Sequence, residues 1–204
     1  MQHGFHYKRI MSSIIDDSLD GRIAARMLTE RTSRGWSLEQ LAERSGVSRA
    51  MISKIEREES SPTAAVLGRL SAAFGLTLSQ LLARAEQGTA RLLNREAEQE
   101  RWRDPDTGFE RRALTPPGST APLELVWGEL PPKARVDYPA SAFTFIEDQQ
   151  VVVITGRLSF TQGTQTHELR SGDCLRLGPP ADCRFENPGG SLCRYLVAVL
   201  RRTR

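Results

Sequence analysis

Ser37-Leu38-Glu39-Gln40-Leu41-Ala42-Glu43-Arg44-Ser45-Gly46-Val47-Ser48-Arg49 carries a helix start, a stop and a second start in one short run. Ser37 is a helix cap to which Gln40 can reach back, and Leu41 and Ala42 turn inward behind that box. Gly46 ends the helix, because the tight turn needs a left-handed residue that glycine supplies without strain. Ser48 caps the next helix, Arg49 to Arg57, on which Ile52 and Ile55 form a narrow apolar stripe. Arg49, Ala50, Ser53 and Lys54 lie off that stripe. Two short helices therefore meet across a three-residue turn.

Outward from this pair, residues 19–85 keep a helical spacing interrupted by caps and stops. Ser61-Pro62 is expected to open a fourth helix, Gly75 to close it, and Thr77 with Gln80 to repeat the capping box for a fifth. A second helix held on a small apolar core can enter a DNA major groove with its N-terminal face. Arginine and lysine there meet guanine, and alanine touches a thymine methyl without blocking approach. The helix starts at Ser37 and Ser48 offer N–H groups to phosphates.

Leu41-Ala42, Gly46-Val47-Ser48, Ile52-Ser53, Ile55-Glu56-Arg57 and Pro62 fall in the order of the XRE-type helix-turn-helix domain shared with lambda-repressor-like proteins, which Gly35 to Leu82 resembles. The resemblance implies base contacts at Arg49, Ala50 and Lys54, phosphate contacts at Ser37, Ser48 and Arg57, and a structural ion pair between Arg31 and Glu56. Glu58 stands where that family usually has glycine.

Residues 86–107 are polar and mixed in charge and read as a linker or a solvated helix, after which the pattern changes. Short runs of Val, Leu, Phe and Tyr alternate with Pro-Pro, Gly and Asn-Pro-Gly-Gly punctuation. The expected strands are 109–114, 123–130, 135–138, 150–155, 157–161, 166–169, 174–177, 183–186 and 192–200, a sandwich or closed barrel within residues 108–204. Gly156-Arg157-Leu158, Leu169-Arg170-Ser171-Gly172-Asp173, Pro179-Pro180 and Arg184-Phe185-Glu186-Asn187-Pro188-Gly189 resemble the second half of a cupin jelly-roll β-barrel. The fold class is thus two-domain, α plus all-β: a five-helix helix-turn-helix domain followed by a cupin barrel.

Metal-binding cupins place three His and a Glu at the barrel centre. Here the corresponding positions fall near Phe143, Phe145, Gln149 or Gln150, and Cys183, so no metal, no other cofactor and no catalytic residue is expected. Trp127, Tyr138, Phe143, Phe145, Cys183 and Tyr195 either fill a core or line an apolar pocket with Gln149, Gln150 and Arg176 at its polar end; the residues leave both readings open. Cys174, Cys183 and Cys193 match no compact zinc spacing and read as buried thiols ahead of a metal or oxidant site. Arg201-Arg202-Thr203-Arg204 reads as a solvated tail.

The chain has 204 residues, 26% charged, with three cysteines, which excludes a disulfide scaffold. Its formal charge of +3 lies entirely within residues 1–85, too small a surplus to identify a polyanionic partner without the placement of the charges. Residues 1–18 read as a disordered leader. No apolar run, Val151 to Ile154 among them, comes near the roughly 20 residues of a membrane helix, so a cytoplasmic protein without a membrane partner is expected. An XRE-type domain joined to a cupin barrel implies a regulator of transcription: a homodimer, more often a repressor, on a near-palindromic double-stranded operator, with a small-molecule effector in the barrel. The competing class is a metal-dependent cupin enzyme with an accessory DNA-binding domain.

Overall fold

The computed structural model describes residues 19–82, 92–116, 119 and 121–202. The leader expected over residues 1–18 lies outside these, as do residues 86–91 of the expected linker and the last two residues of the tail.

Among the described residues, five α-helices come first in the chain: α1 (Leu19–Ser33), α2 (Leu38–Ser45), α3 (Arg49–Glu56), α4 (Ala64–Phe74) and α5 (Leu78–Leu82). The capping box at Ser37 closes in both directions, with Gln40 N donating to Ser37 Oγ at 3.2 Å and Ser37 N to Gln40 Oε1 at 2.8 Å. Gly46 ends α2 at φ 66°, and Ser48 Oγ accepts from Met51 N at 3.2 Å to start α3. Thr77 and Gln80 pair in the same reciprocal way before α5. The fourth helix begins differently from expectation. Thr63, not Ser61-Pro62, is the cap, because its hydroxyl is the one that reaches the exposed N–H of Val66.

Ile23, Met27, Leu41, Ile52, Ile55, Leu67, Leu70 and Leu81 are each 2% exposed or less and make the helical core. On its rim, Trp36 stacks on Phe74 at 6.0 Å between centroids, and the Arg44 guanidinium lies 4.5 Å over the Trp36 ring.

Ten strands follow: β1 (Arg101–Arg103), β2 (Glu110–Ala113), β3 (Leu123–Leu130), β4 (Arg135–Tyr138), β5 (Ile146–Thr155), β6 (Arg157–Gln162), β7 (Gln165–Arg170), β8 (Cys174–Arg176), β9 (Cys183–Glu186) and β10 (Cys193–Arg201). They pair antiparallel in two sheets, ordered β1-β2-β3-β10-β5-β8 and β4-β9-β6-β7. The sheets face each other through Phe160, Phe185 and Tyr195, with Phe185 stacked on Tyr195 at 5.5 Å. This is the two-domain α plus all-β architecture, the second domain a barrel of two facing antiparallel sheets.

Three further stretches depart from the sequence reading: β5 begins at Ile146, four residues before the expected start of that strand at Gln150, where pairing with β10 extends it. Arg101–Arg103, expected within the linker, is an edge strand paired with β2, because burying Trp102 to 3% exposure outweighs its charged neighbours. Arg201, expected in a solvated tail, is the last residue of β10, and its Nε lies 3.0 Å from Glu124 Oε1.

Helices and barrel are docked. α4 packs on β4, so closely that a Cβ at Gly68 would lie 3.1 Å from Tyr138 Cδ1. Ala64 N donates to Asp104 Oδ2 at 2.6 Å, Thr77 Oγ1 donates to Glu124 at 3.0 Å, and Arg22 pairs with Glu100 at 2.6 Å.

Candidate functional site

α3 stands on α2 through Ile52 and Ile55, both buried, while Arg49, Ala50 and Lys54 are exposed and Ser53 is half-buried. Its position is fixed from behind by a fork: Arg31 Nε donates to Glu56 Oε1 at 2.7 Å and Nη2 to Oε2 at 2.8 Å. That bonding raises the Arg31 pKa and favours its charged form. The Arg49, Ala50 and Lys54 side chains can therefore approach a partner without disturbing the core.

Two of the exposed cations, Arg49 and Arg57, are already engaged by acids. Arg49 Nε lies 3.0 Å from Glu39 Oε1, and both side chains are more than 60% exposed. Arg57 donates to both carboxylate oxygens of Glu59, at 2.8 and 2.9 Å, and to Ser53 Oγ at 2.9 Å. These bonds raise the Arg57 pKa and lower that of Glu59. Exposed pairs are weak and screened by salt, so a phosphate or base edge can displace them. Ser37 and Ser48 use their oxygens as acceptors within the caps; the Ser37 hydroxyl also hydrogen-bonds the Glu39 carboxylate, which a phosphate would have to displace. Glu58 has φ 60°, the left-handed conformation that explains why glycine suits this position.

The second feature is a cavity of about 90 Å³ inside the barrel. Arg111 on β2, Gly128 on β3 and Tyr195 on β10 stand in one cross-strand row on its wall. Gly128 is required there, since a Cβ would lie 2.5 Å from Tyr195 Cζ. Glu124, Gln149, Phe185 and Phe109 complete much of the barrel side, and Gly68, Ser71, Thr77 and Leu78 close it from the helical domain. Burial pushes the Tyr138 and Tyr195 hydroxyls above their ordinary range, so both are neutral donors.

Of the residues expected from sequence, Tyr138, Phe143, Gln149 and Tyr195 meet at this cavity. The others lie elsewhere, for reasons of strand pleat. Trp127 shares the outer face of its sheet with Arg112, whose guanidinium sits 5.5 Å over the indole. Gln150 is exposed beside Cys174, and Arg176 pairs outside the barrel with Asp148 at 2.9 Å. Cys183 points into the core beyond the cavity wall and donates to Ala181 O at 3.3 Å. Phe145 is half-buried on the turn before β5. Arg111, Glu124, Phe109 and Phe185 were not anticipated; the signal for Arg111 is that it shares a strand face with buried Phe109.

The positions corresponding to cupin metal ligands carry a phenyl ring, a carboxamide and a buried thiol. Among the described residues no group of three or more His, Cys, Asp or Glu is placed to hold a metal, so this donor set does not fit the family metal.

Residues 28–81 match the helix-turn-helix family HTH_3. This unit is an XRE-type helix-turn-helix domain. It is 44% identical over 59 residues to the HTH-type transcriptional regulator SutR of Escherichia coli (strain K12), an alignment covering 29% of this chain and 33% of that relative. The chain therefore spans about a third of the length of that protein. An HTH_3 family transcriptional regulator from Vibrio cholerae superposes with a TM-score of 0.74 at 25% identity, covering 91% of this chain and 98% of the other. The cupin_2 domain of an XRE family transcriptional regulator from Enterobacter cloacae gives 0.42 at 16% identity, over 47% of this chain and 98% of that one. The likeness to the Vibrio cholerae protein thus extends through the XRE-type domain and the barrel together. No described helix is long and apolar enough to cross a membrane.

Proposed function

We propose that the chain is a sequence-specific DNA-binding regulator of transcription, acting in the cytoplasm as a homodimeric repressor on a near-palindromic operator. The observation that carries this reading is the exposed Arg49, Ala50 and Lys54 on a short helix fixed across the Gly46-Val47-Ser48 turn in an HTH_3 domain. Residues 19–85 read DNA and residues 108–204 pair the two copies. One eight-residue helix spans few base pairs, so specificity requires two half-sites about one helical turn apart.

The barrel is read as a receptor rather than an enzyme. Its cavity offers a guanidinium, a carboxamide and two phenols, and its one carboxylate, Glu124, is already paired with Arg201. An effector there regulates DNA binding if it has different affinities for the DNA-competent and incompetent arrangements.

The test is genome-wide occupancy in the native cell of the wild-type chain against the Arg49→Ala, Lys54→Ala double variant. A few promoters sharing a near-palindrome, lost in the variant, are expected. Diffuse occupancy identical in the two would overturn the reading.

A further inference from the structure

Two polar groups on the cavity wall have unmet capacity. Arg111 is 8% exposed, and among the described residues its one side-chain hydrogen bond runs from Nη2 to Ser79 Oγ at 2.6 Å. A guanidinium carries a fork of N–H donors and stays charged in any protein setting, though burial lowers the Arg111 pKa. Glu124, the one carboxylate among the residues lining the cavity, favours the charged Arg111 through its field, but its close contacts are with the Thr77 hydroxyl and Arg201. Gln149 is likewise 8% exposed, and its Oε1 accepts no hydrogen bond from any described residue. A buried cation and a buried acceptor on one cavity are costly unless something completes them.

The rest of the wall limits what that can be. Val126, Val197 and Phe185 make it apolar. At roughly 10–15 Å³ for each water-sized group, a space of about 90 Å³ holds a molecule of roughly six to nine non-hydrogen atoms. The Arg111 fork suits a planar anion with two acceptor oxygens.

We propose that this cavity receives a small carboxylic acid carrying a second donor group. Its carboxylate pairs with Arg111, its N–H or O–H meets Gln149 Oε1, and its short apolar end packs against Val126, Val197 and Phe185. Arg111 then exchanges or shares its bond to Ser79, which lies on α5 of the XRE-type domain, so the ligand acts on the contact between reading domain and barrel. The link to DNA rests on the proposed regulator function; the ligand chemistry does not.

The experiment is titration calorimetry on the full chain with five probes: 2-hydroxyisovalerate, L-valine, the amide of each, and plain isovalerate. At least one acid is expected to bind below about 1 mM, with its amide and the Arg111→Met variant each weaker by about tenfold or more. Gln149→Leu should weaken the hydroxy or amino acid while leaving plain isovalerate unchanged. The acid-against-amide comparison uses wild-type protein, so it stands even if Arg111→Met misfolds. No binding of either acid at about 10 mM, or equal binding of acid and amide, overturns the proposal. Operator binding is measured on the same samples. Operator bound without any carboxylate sinks this inference and keeps the regulator; carboxylate bound without any operator does the reverse.

Discussion

Arg49 at the start of α3 is tethered to Glu39 on α2, with Nε 3.0 Å from Oε1. The acid is held in its charged form by hydrogen bonds from its own backbone and from Ser37 before Arg49 adds its field. DNA must therefore take Arg49 from an existing partner. Glu39→Gln should tighten operator binding by roughly two- to fivefold at low salt, with the gain fading as salt rises. Fluorescence anisotropy on a labelled operator checks this, and weaker binding by the variant would show that Glu39 orients Arg49 instead of competing for it. Arg49→Ala should cost about 1–3 kcal/mol and relax preference at one base pair. Equal loss on every sequence would refute base reading.

Glu58 occupies a left-handed backbone position immediately after α3, at φ 60°. A side chain there costs about 1 kcal/mol relative to glycine. Glu58→Gly should therefore raise the melting temperature of the chain by a few degrees and, by removing an acid beside the reading helix, strengthen DNA binding on all sequences alike. An unchanged or lower melting temperature would mean that the greater freedom of glycine in the unfolded chain cancels the strain relieved.

Asp104 is 3% exposed, and its carboxylate accepts from the backbone of Asp106, Thr107 and, across the domain boundary, Ala64. Ala64 is the first residue of α4, so the acid also meets the positive end of that helix. Asp104→Ala leaves buried N–H groups unmet and should destabilise the chain by about 1.5–3 kcal/mol. Proteolysis should then cut between the helical domain and the barrel faster than in wild type. Cleavage at the wild-type rate would show that the packing of α4 on β4 holds the domains without this bond.

The helix-turn-helix was legible because its determinants are local. Ser37, Gly46, Ser48 and Thr77 each act within a few residues of themselves, and backbone geometry decides what they do. Most strands were legible from period-two alternation bounded by glycine and proline. Among the features that were not, three depend on a distant partner. Arg101-Trp102-Arg103 becomes a strand only because β2 pairs with it. Arg201 is ordered by Glu124, far back in the chain. In the cavity, Arg111 and Arg112 are adjacent and chemically identical, yet the pleat sends one inward beneath the reading domain and the other out over Trp127.

The thiols divide along the same line. Cys174, expected to be buried, is instead exposed on the short edge strand β8, whereas Cys183 and Cys193 are buried, and burial pushes their pKa values up to about 12 and about 11 from an ordinary 9.0. An aromatic disulfide reagent at neutral pH should modify one thiol per native chain, Cys174, and the remaining two only after denaturation. Rapid modification of all three would place the buried pair in a mobile region. The raised values also fix a pH dependence. Below about pH 9 both thiols are protonated whether the chain is folded or unfolded, and their contribution to stability is complete. As pH rises from there, the unfolded thiols ionise first, so stability falls until the folded thiols ionise too, near 11 and 12. Denaturant midpoints should therefore drop more steeply above pH 9 in wild type than in a Cys183→Ala, Cys193→Ala variant. Parallel curves for the two proteins would mean that these thiols ionise as readily in the barrel as in water.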